Sequence, residues 1–261
     1  MIVAADNLTA SRPSIHRALE KRDQAWLAGV CRQAEAAGAR WLDLNPGYLP
    51  RGRRRDTWDF LIRTAEAACG LKLMLDTPAP ADLALAVEMC SRPPVLNMAT
   101  AEPARLRPVL EVAAHHGVEV VAALMDSQVP LDAEGRLSLA ALIVAEAEAL
   151  GIAGRRLIID PMVMPLALPG GERHARAVIE VLRVLPTLFA EPPRRLIALS
   201  NLFTRTAGAG ARAAAEPFLA AAWGAGLEVV MLNSEDEALL ETVGLLAVLA
   251  GERIFAPGEY A

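Results

Sequence analysis

No apolar stretch in this 261-residue chain reaches 18 residues before a charged side chain interrupts it, although 54% of the residues are hydrophobic. The sequence therefore predicts no transmembrane helix. The opening MIVAADNLTA has no basic start and meets Asp6 at once, unlike a secretory signal. Positive charge is not in excess: the net charge is −5, which gives nucleic acid no electrostatic footprint to bind. Cysteine is scarce. Cys31, Cys69 and Cys90 are isolated, odd in number and set in helix-like segments, so they read as small core residues in a reducing, cytoplasmic compartment. The four histidines form no ligand pattern: His16 lies in the first helical region, His115 and His116 end a helix, and His174 follows the sixth apolar run. No histidine-ligated metal is expected.

What the chain has is alternation. Short, strand-like apolar runs recur at 2–5, 40–44, 71–75, 94–98, 118–125, 156–160, 195–199 and 227–232. Segments with helical period lie between them, and several end on glycine, at Gly38, Gly117, Gly151 and Gly251, where a left-handed residue closes a helix. Eight strand–helix units without a linker predict an α/β fold, a (β/α)8 barrel occupying residues 1–261 as a single domain. An open doubly wound sheet fits worse, because no G-x-G-x-x-G turn follows the first strand.

In such a barrel the site is built where the strands end. Those positions carry Asp6 and Asn7, Asp43 and Asn45, Asp76, Asn97, Met125 and Asp126, Asp160, Ser200 and Asn201, and Asn233. Singly, each Asp or Asn reads equally well as a helix cap. Asp76, Asn97 and Asp160, however, stand within or directly at a strand, where a side chain points into the barrel mouth. Carboxylates only accept hydrogen bonds and carboxamides both donate and accept, so the matching ligand presents paired N–H donors with some acceptors. A 2-amino-4-oxo-pyrimidine edge has that pattern. A sugar phosphate fits less well, for want of a lysine after the seventh and eighth strands.

The stretches WLDLNPG (41–47), LMLDT (73–77), VLNMATAE (95–102), ALM (123–125), RLIIDPMVMP (156–165) and LIALSNL (196–202) resemble the pterin-binding barrel family. The similarity is strongest to its methyltetrahydrofolate:corrinoid/iron–sulfur protein methyltransferases, with dihydropteroate synthases further off. The resemblance implies a pterin-binding-type barrel whose Asp76, Asn97 and Asp160 hold the pterin, Asp160 gripping the aminopyrimidine edge. It implies Asn201 as the catalytic side chain, hydrogen-bonded to N5. Asp43 and Asn45 become the adjoining wall, Met125 an apolar floor, and Ser200 part of the rim. The implied substrates are methyltetrahydrofolate or tetrahydrofolate and a corrinoid (cobalamin) carried by a partner protein, with a homodimer as the expected assembly.

The chain also departs from that pattern. VAADNLTA replaces a Gly-Glu-Arg-like turn, Thr77-Pro78-Ala79 replaces Ser-Thr-Asn, and a glycine- and alanine-rich loop containing Arg205 follows LSN. RGRRRD (51–56) reads first as a solvated basic turn. Its functional reading is a contact for a folate glutamate tail or an acidic partner. A dihydropteroate synthase remains the second enzyme reading, weakened because Ser200-Asn201-Leu202 stands where that family carries a lysine. A non-catalytic folate-binding subunit, or a metal-dependent lyase, are the other readings.

Overall fold

The computed structural model describes residues 1–204 and 212–255. Every expected strand forms: β1 (Ile2–Thr9), β2 (Trp41–Asn45), β3 (Lys72–Asp76), β4 (Val95–Thr100), β5 (Glu119–Ala123), β6 (Leu157–Asp160), β7 (Arg194–Ala198) and β8 (Val229–Leu232). They pair in sequence order and in parallel, and β1 closes onto β8. The fold is the (β/α)8 barrel. Around it lie α1 (Pro13–Lys21), α2 (Gln24–Ala36), α3 (Arg54–Ala68), α4 (Pro80–Val87), α5 (Pro103–His116), α6 (Ala133–Ala149), α7 (Gly171–Leu188), α8 (Ala215–Gly224) and α9 (Glu237–Leu249), the helices among the described residues. None is long and apolar enough to cross a membrane.

Local chemistry sets the helix ends. Asp23, Asp132 and Asp236 accept the backbone N–H of Trp26, Gly135 and Leu239, capping α2, α6 and α9. At the far end of α5, Gly117 sits at φ 66° and returns its N–H to the carbonyls of Ala113 and Ala114. Gly38, Gly151 and Gly251 take the same left-handed region.

Strand alternation sorts side chains into two cores. One face of each strand meets the helices. The other fills the barrel with a layer containing Trp41, Met74, Val95, Val121, Ile158 and Leu196, all buried. Burying such side chains contributes roughly 1.5–3 kcal/mol each. Because the period is two, the residues above and below this layer also point inward. Below it, Lys72, Glu119 and Arg194 open β3, β5 and β7. These strands are not neighbours, yet both cations reach the Glu119 carboxylate, so the three meet across the interior. Both cations also lie over the Trp41 ring, 5.7 Å and 5.5 Å from its centroid. Above the layer, the same parity delivers Asp43, Asp76, Asn97 and Asp160 to the C-terminal mouth.

Candidate functional site

A cavity of about 400 Å³ opens at that mouth, lined by Asp6, Asp43, Asn45, Asp76, Asn97 and Asp160 from the strands and by Ser200 and Asn201 beyond β7. Asp76, which ends β3, and Asn97, in the middle of β4, are register partners, and the β4–β5 register shifts after Asn97, an irregularity beside the site. Asn45 donates to the Asp76 carboxylate at 2.7 Å and accepts the Gly47 N–H at 2.9 Å. Asn97 donates to Asp43 at 3.4 Å. Asp160 accepts the Met162 N–H at 2.8 Å, which turns the chain after β6 back on itself. Ser200 and Asn201 ride on a 3₁₀ turn, Leu199–Phe203, directly after β7.

Burial is the largest influence on these carboxyls. Burial pushes Asp160 up to about 6, against the pull of the Met162 N–H and the charge of Arg136. Burial also raises Asp76 to about 6, opposed by its Asn45 hydrogen bond and by Arg105. Asp43 is driven well above the usual carboxylate range by burial first, then by the charges of Asp76 and Asp6. Asp6 is raised by burial and drawn down by the Ser200 hydroxyl and by Arg12, 3.5 Å away. Among the described residues the buried Asp6 Oδ1 accepts no hydrogen bond. The cavity thus presents acceptors in excess of donors, and Arg12 is the cation among its described lining residues. The complement is a neutral or weakly basic molecule rich in N–H groups.

Of the sequence-predicted site residues, Asp43, Asn45, Asp76, Asn97, Asp160, Ser200 and Asn201 come together around this cavity. Met125 does not. It follows β5, half-buried, with its backbone engaged by Ala101 and Ala123, and the sulfur-bearing wall is built by Met98, Met162 and Met231. β5 ends at Ala123, so the chain has left the barrel before Met125 is reached. Other strand-end residues prove structural: Asn7 binds Asn233 at 2.7 Å and accepts from the N–H and hydroxyl of Ser234, while Asp126 closes its own turn onto Gln128. The 51–56 segment is no loop throughout: Arg51–Arg53 form a 3₁₀ turn and Arg54 opens α3, committed to Asp82 at 3.1 Å and to the Leu49 carbonyl, whereas Arg51, Arg53 and Arg55 are exposed. Arg205 lies outside the described residues.

No family profile matches the chain. Among curated proteins it is similar to the methylcorrinoid:tetrahydrofolate methyltransferase of Eubacterium limosum, 26% identical over 190 residues that span 70% of this chain and 69% of that protein. Among solved structures, dihydropteroate synthase of Xanthomonas albilineans bound to 7,8-dihydropteroate superposes with a TM-score of 0.67 at 20% identity, covering 98% of this chain and 94% of that one. The chain shares the fold of that dihydropteroate synthase. The same enzyme with 4-aminobenzoic acid gives 0.70 at 23% identity over 98% and 94%, and that of Yersinia pestis gives 0.67 at 13% over 97% and 94%. The resemblance read from LDLN, IDP and LSN therefore holds in sequence and in fold.

Within this barrel, several lining residues escaped the sequence reading, Met98, Ala198 and Met231 among them. β1 runs on to Thr9 instead of stopping at Ala5, with a register shift between Ala5 and Leu8, and so brings Thr9, Ser11 and Arg12 to the mouth. Only the polar run DNLTASR signalled it. Met162 enters because it takes a left-handed φ of 64°, which no local pattern announces in a residue with a side chain. Thr204 follows from the 3₁₀ turn, its hydroxyl bonded to the Ser200 carbonyl at 2.8 Å.

Proposed function

We propose that this protein is a methyltransferase that moves a methyl group between N5 of tetrahydrofolate and the cobalt of a corrinoid protein. The observation that carries the reading is the set Asp43, Asp76, Asn97 and Asp160 around one open cavity, its three carboxyls raised in pKa by burial and facing a single described cation. A reduced pterin satisfies that set: its 2-amino and N3 hydrogens pair with one carboxylate, and its remaining N–H groups and carbonyl suit Asp76 and Asn97. The similarity to the Eubacterium limosum enzyme supplies the chemistry, and the fold shared with dihydropteroate synthases supplies the pterin precedent.

In this reading Asp160 fixes the ring, and Asp76, itself oriented by Asn45, sets its register. Asn201 reaches N5. A tertiary amine is a poor leaving group unless charge on it is met by a hydrogen bond or proton, so a carboxamide that binds N5 best in the transition state lowers the barrier. Asp43 and Asp6, both raised by burial, are the carboxyls that would pass a proton through water to that amine. The cobalt of the corrinoid, brought by the partner protein, supplies the strongly nucleophilic or methylated centre. The chain itself would work as a homodimer in the cytoplasm.

A neighbouring cavity of about 630 Å³ shares Thr9, Ser11 and Asn45 with the first and is lined further by Pro46, Tyr48, Leu49 and Arg53. It gives the benzoylglutamate arm of folate an apolar slot ending near the exposed arginines of the 51–56 turn. Dihydropteroate synthesis is the second reading, favoured by the structural neighbours. It lacks a cavity lysine for the pyrophosphate leaving group, the chain's lysines being Lys21 and Lys72.

The deciding experiment is anaerobic: methyltetrahydrofolate with cob(I)alamin, and methylcobalamin with tetrahydrofolate, each followed by cobalt absorption. Enzyme-dependent transfer in either direction supports the reading. Folate binding without transfer, even with a supplied corrinoid protein, points to a binding subunit, and absence of folate binding sinks the pterin assignment. Condensation of 4-aminobenzoic acid with a pterin pyrophosphate would establish the second reading.

A further inference from the structure

Arg136 is wholly buried in α6, with no solvent exposure, and it does not line the cavity. Its guanidinium donates to the carbonyls of Pro161 at 2.7 Å, Met162 at 3.2 Å and Pro130 at 2.9 Å, and it meets His174 Nδ1 at 2.7 Å. Four contacts from one side chain thus tie together the loop before α6, the turn after β6 and the first turn of α7. The residues it holds are those that form the Asp160 turn. Met162 has its left-handed φ of 64°, returns its N–H to the Asp160 carboxylate, and places its own side chain in the cavity wall. A residue with a side chain keeps that conformation only where its surroundings impose it. A buried guanidinium is costly unless fully partnered, and here the last partner is the lone pair of His174. His174 is therefore a neutral ring with its proton on Nε2.

We infer that Arg136, oriented by His174, is a positioning residue that sets the Asp160–Met162 turn and keeps the Asp160 carboxylate aimed into the cavity. In the folate site of the preceding section, on which this assignment of purpose rests, Arg136 acts on the pterin through Asp160 and does not touch it. The charge of Arg136 also favours the ionised form of Asp160 that the ligand needs.

The test combines two readouts on Arg136→Lys, Arg136→Met, His174→Leu and His174→Asn. The asparagine keeps an acceptor where Nδ1 stands. Hydrogen–deuterium exchange of the ligand-free protein reads the Met162 amide, and calorimetry reads methyltetrahydrofolate affinity. His174→Leu is expected to speed exchange across residues 160–163 and weaken folate about tenfold, while His174→Asn returns both close to the parent values. Arg136→Met, if it folds, goes further in the same direction than Arg136→Lys. A lower melting temperature with unchanged exchange at Met162 and unchanged affinity would reduce the pair to ordinary packing and overturn the inference. Faster Met162 exchange in a protein whose parent binds no folate would uphold the positioning role and fail the folate reading alone.

Discussion

The two ends of this barrel carry inward-facing ionisable side chains one step either side of its apolar layer and resolve them in opposite ways. At the N-terminal end Glu119 is clasped between Lys72 and Arg194, and both cations rest on Trp41. At the C-terminal end Asp43 and Asp160 are buried and Asp76 is half-buried, yet among the described residues none of the three forms an ion pair. They hold carboxamides, a backbone N–H and one another's fields instead. Both arrangements arise from the same strand parity, one step below and one step above the apolar layer. A buried charge costs several kcal/mol unless it is paired. One end offsets that cost within the chain; the other leaves it outstanding until something binds. The difference teaches where to look for a ligand: at buried charges whose compensation is missing.

The largest effect should come from removing the charge at Asp160. Asp160→Asn keeps shape but replaces an acceptor with a donor, so folate affinity should fall about a thousandfold, leaving paired N–H groups unmet. The same substitution should stabilise the ligand-free protein at pH 8, by at most about 3 kcal/mol, because it removes a carboxylate that burial holds near pKa 6. Calorimetric titration and a melting curve measure both. A variant that melts lower and still binds would erase the contrast between the two ends.

The mirror experiment is Glu119→Ala. It leaves Lys72 and Arg194 facing each other without an anion, and stability should drop by about 3–5 kcal/mol. Folate affinity should remain within about twofold, since the apolar layer of Met74, Val121 and Ile158 separates the two ends. A matching loss of affinity would show that the bottom plug also shapes the mouth.

Much of this contrast is legible in the sequence. The period-two alternation in WLDLN, LKLMLD and LIID fixes which residues point inward, and the ends of those runs already display Asp43, Asp76 and Asp160. What local pattern cannot supply is the partner of each polar group. Asn7, Asn233 and Asp126 are as polar and as near a strand end as Asn45, but they turn out to bond to each other or to their own turns. Met125 fails for a related reason: two residues beyond the strand, parity no longer dictates direction. Arg136 and His174 stand 38 positions apart, and nothing in either helix announces that they meet behind Asp160.

A smaller effect separates binding from chemistry within the C-terminal end. Asn201 sits on the 3₁₀ turn, off the strands that carry the carboxyls. Asn201→Ala should slow methyl transfer about a hundredfold, as loss of one preorganised hydrogen bond to the reacting atom does. Its folate dissociation constant should move by no more than about threefold. Equal losses in single-turnover rate and in affinity would make Asn201 another binding residue.

The mildest perturbation is pH, and the two ends should answer it differently. Asp76 and Asp160 titrate near 6 in the fold, above an unfolded value near 4, so the fold favours their protonated forms. Their contribution to the stability of the ligand-free protein is fully present below about pH 4 and is lost as pH rises through 6. Folate binding runs the other way. Donated N–H groups need the ionised carboxylate, so affinity should climb up to tenfold per unit between pH 5 and 6 and flatten above, with proton release on binding below 6. At the other end Glu119 already holds Lys72 and Arg194, so no carboxyl there waits for a ligand to complete its pairing. Calorimetry in buffers of different ionisation enthalpy reads the released proton directly. An affinity that is level from pH 5 to 8 would mean that Asp160 is already ionised without its ligand, and the outstanding charge that distinguishes the mouth from the plug would be gone.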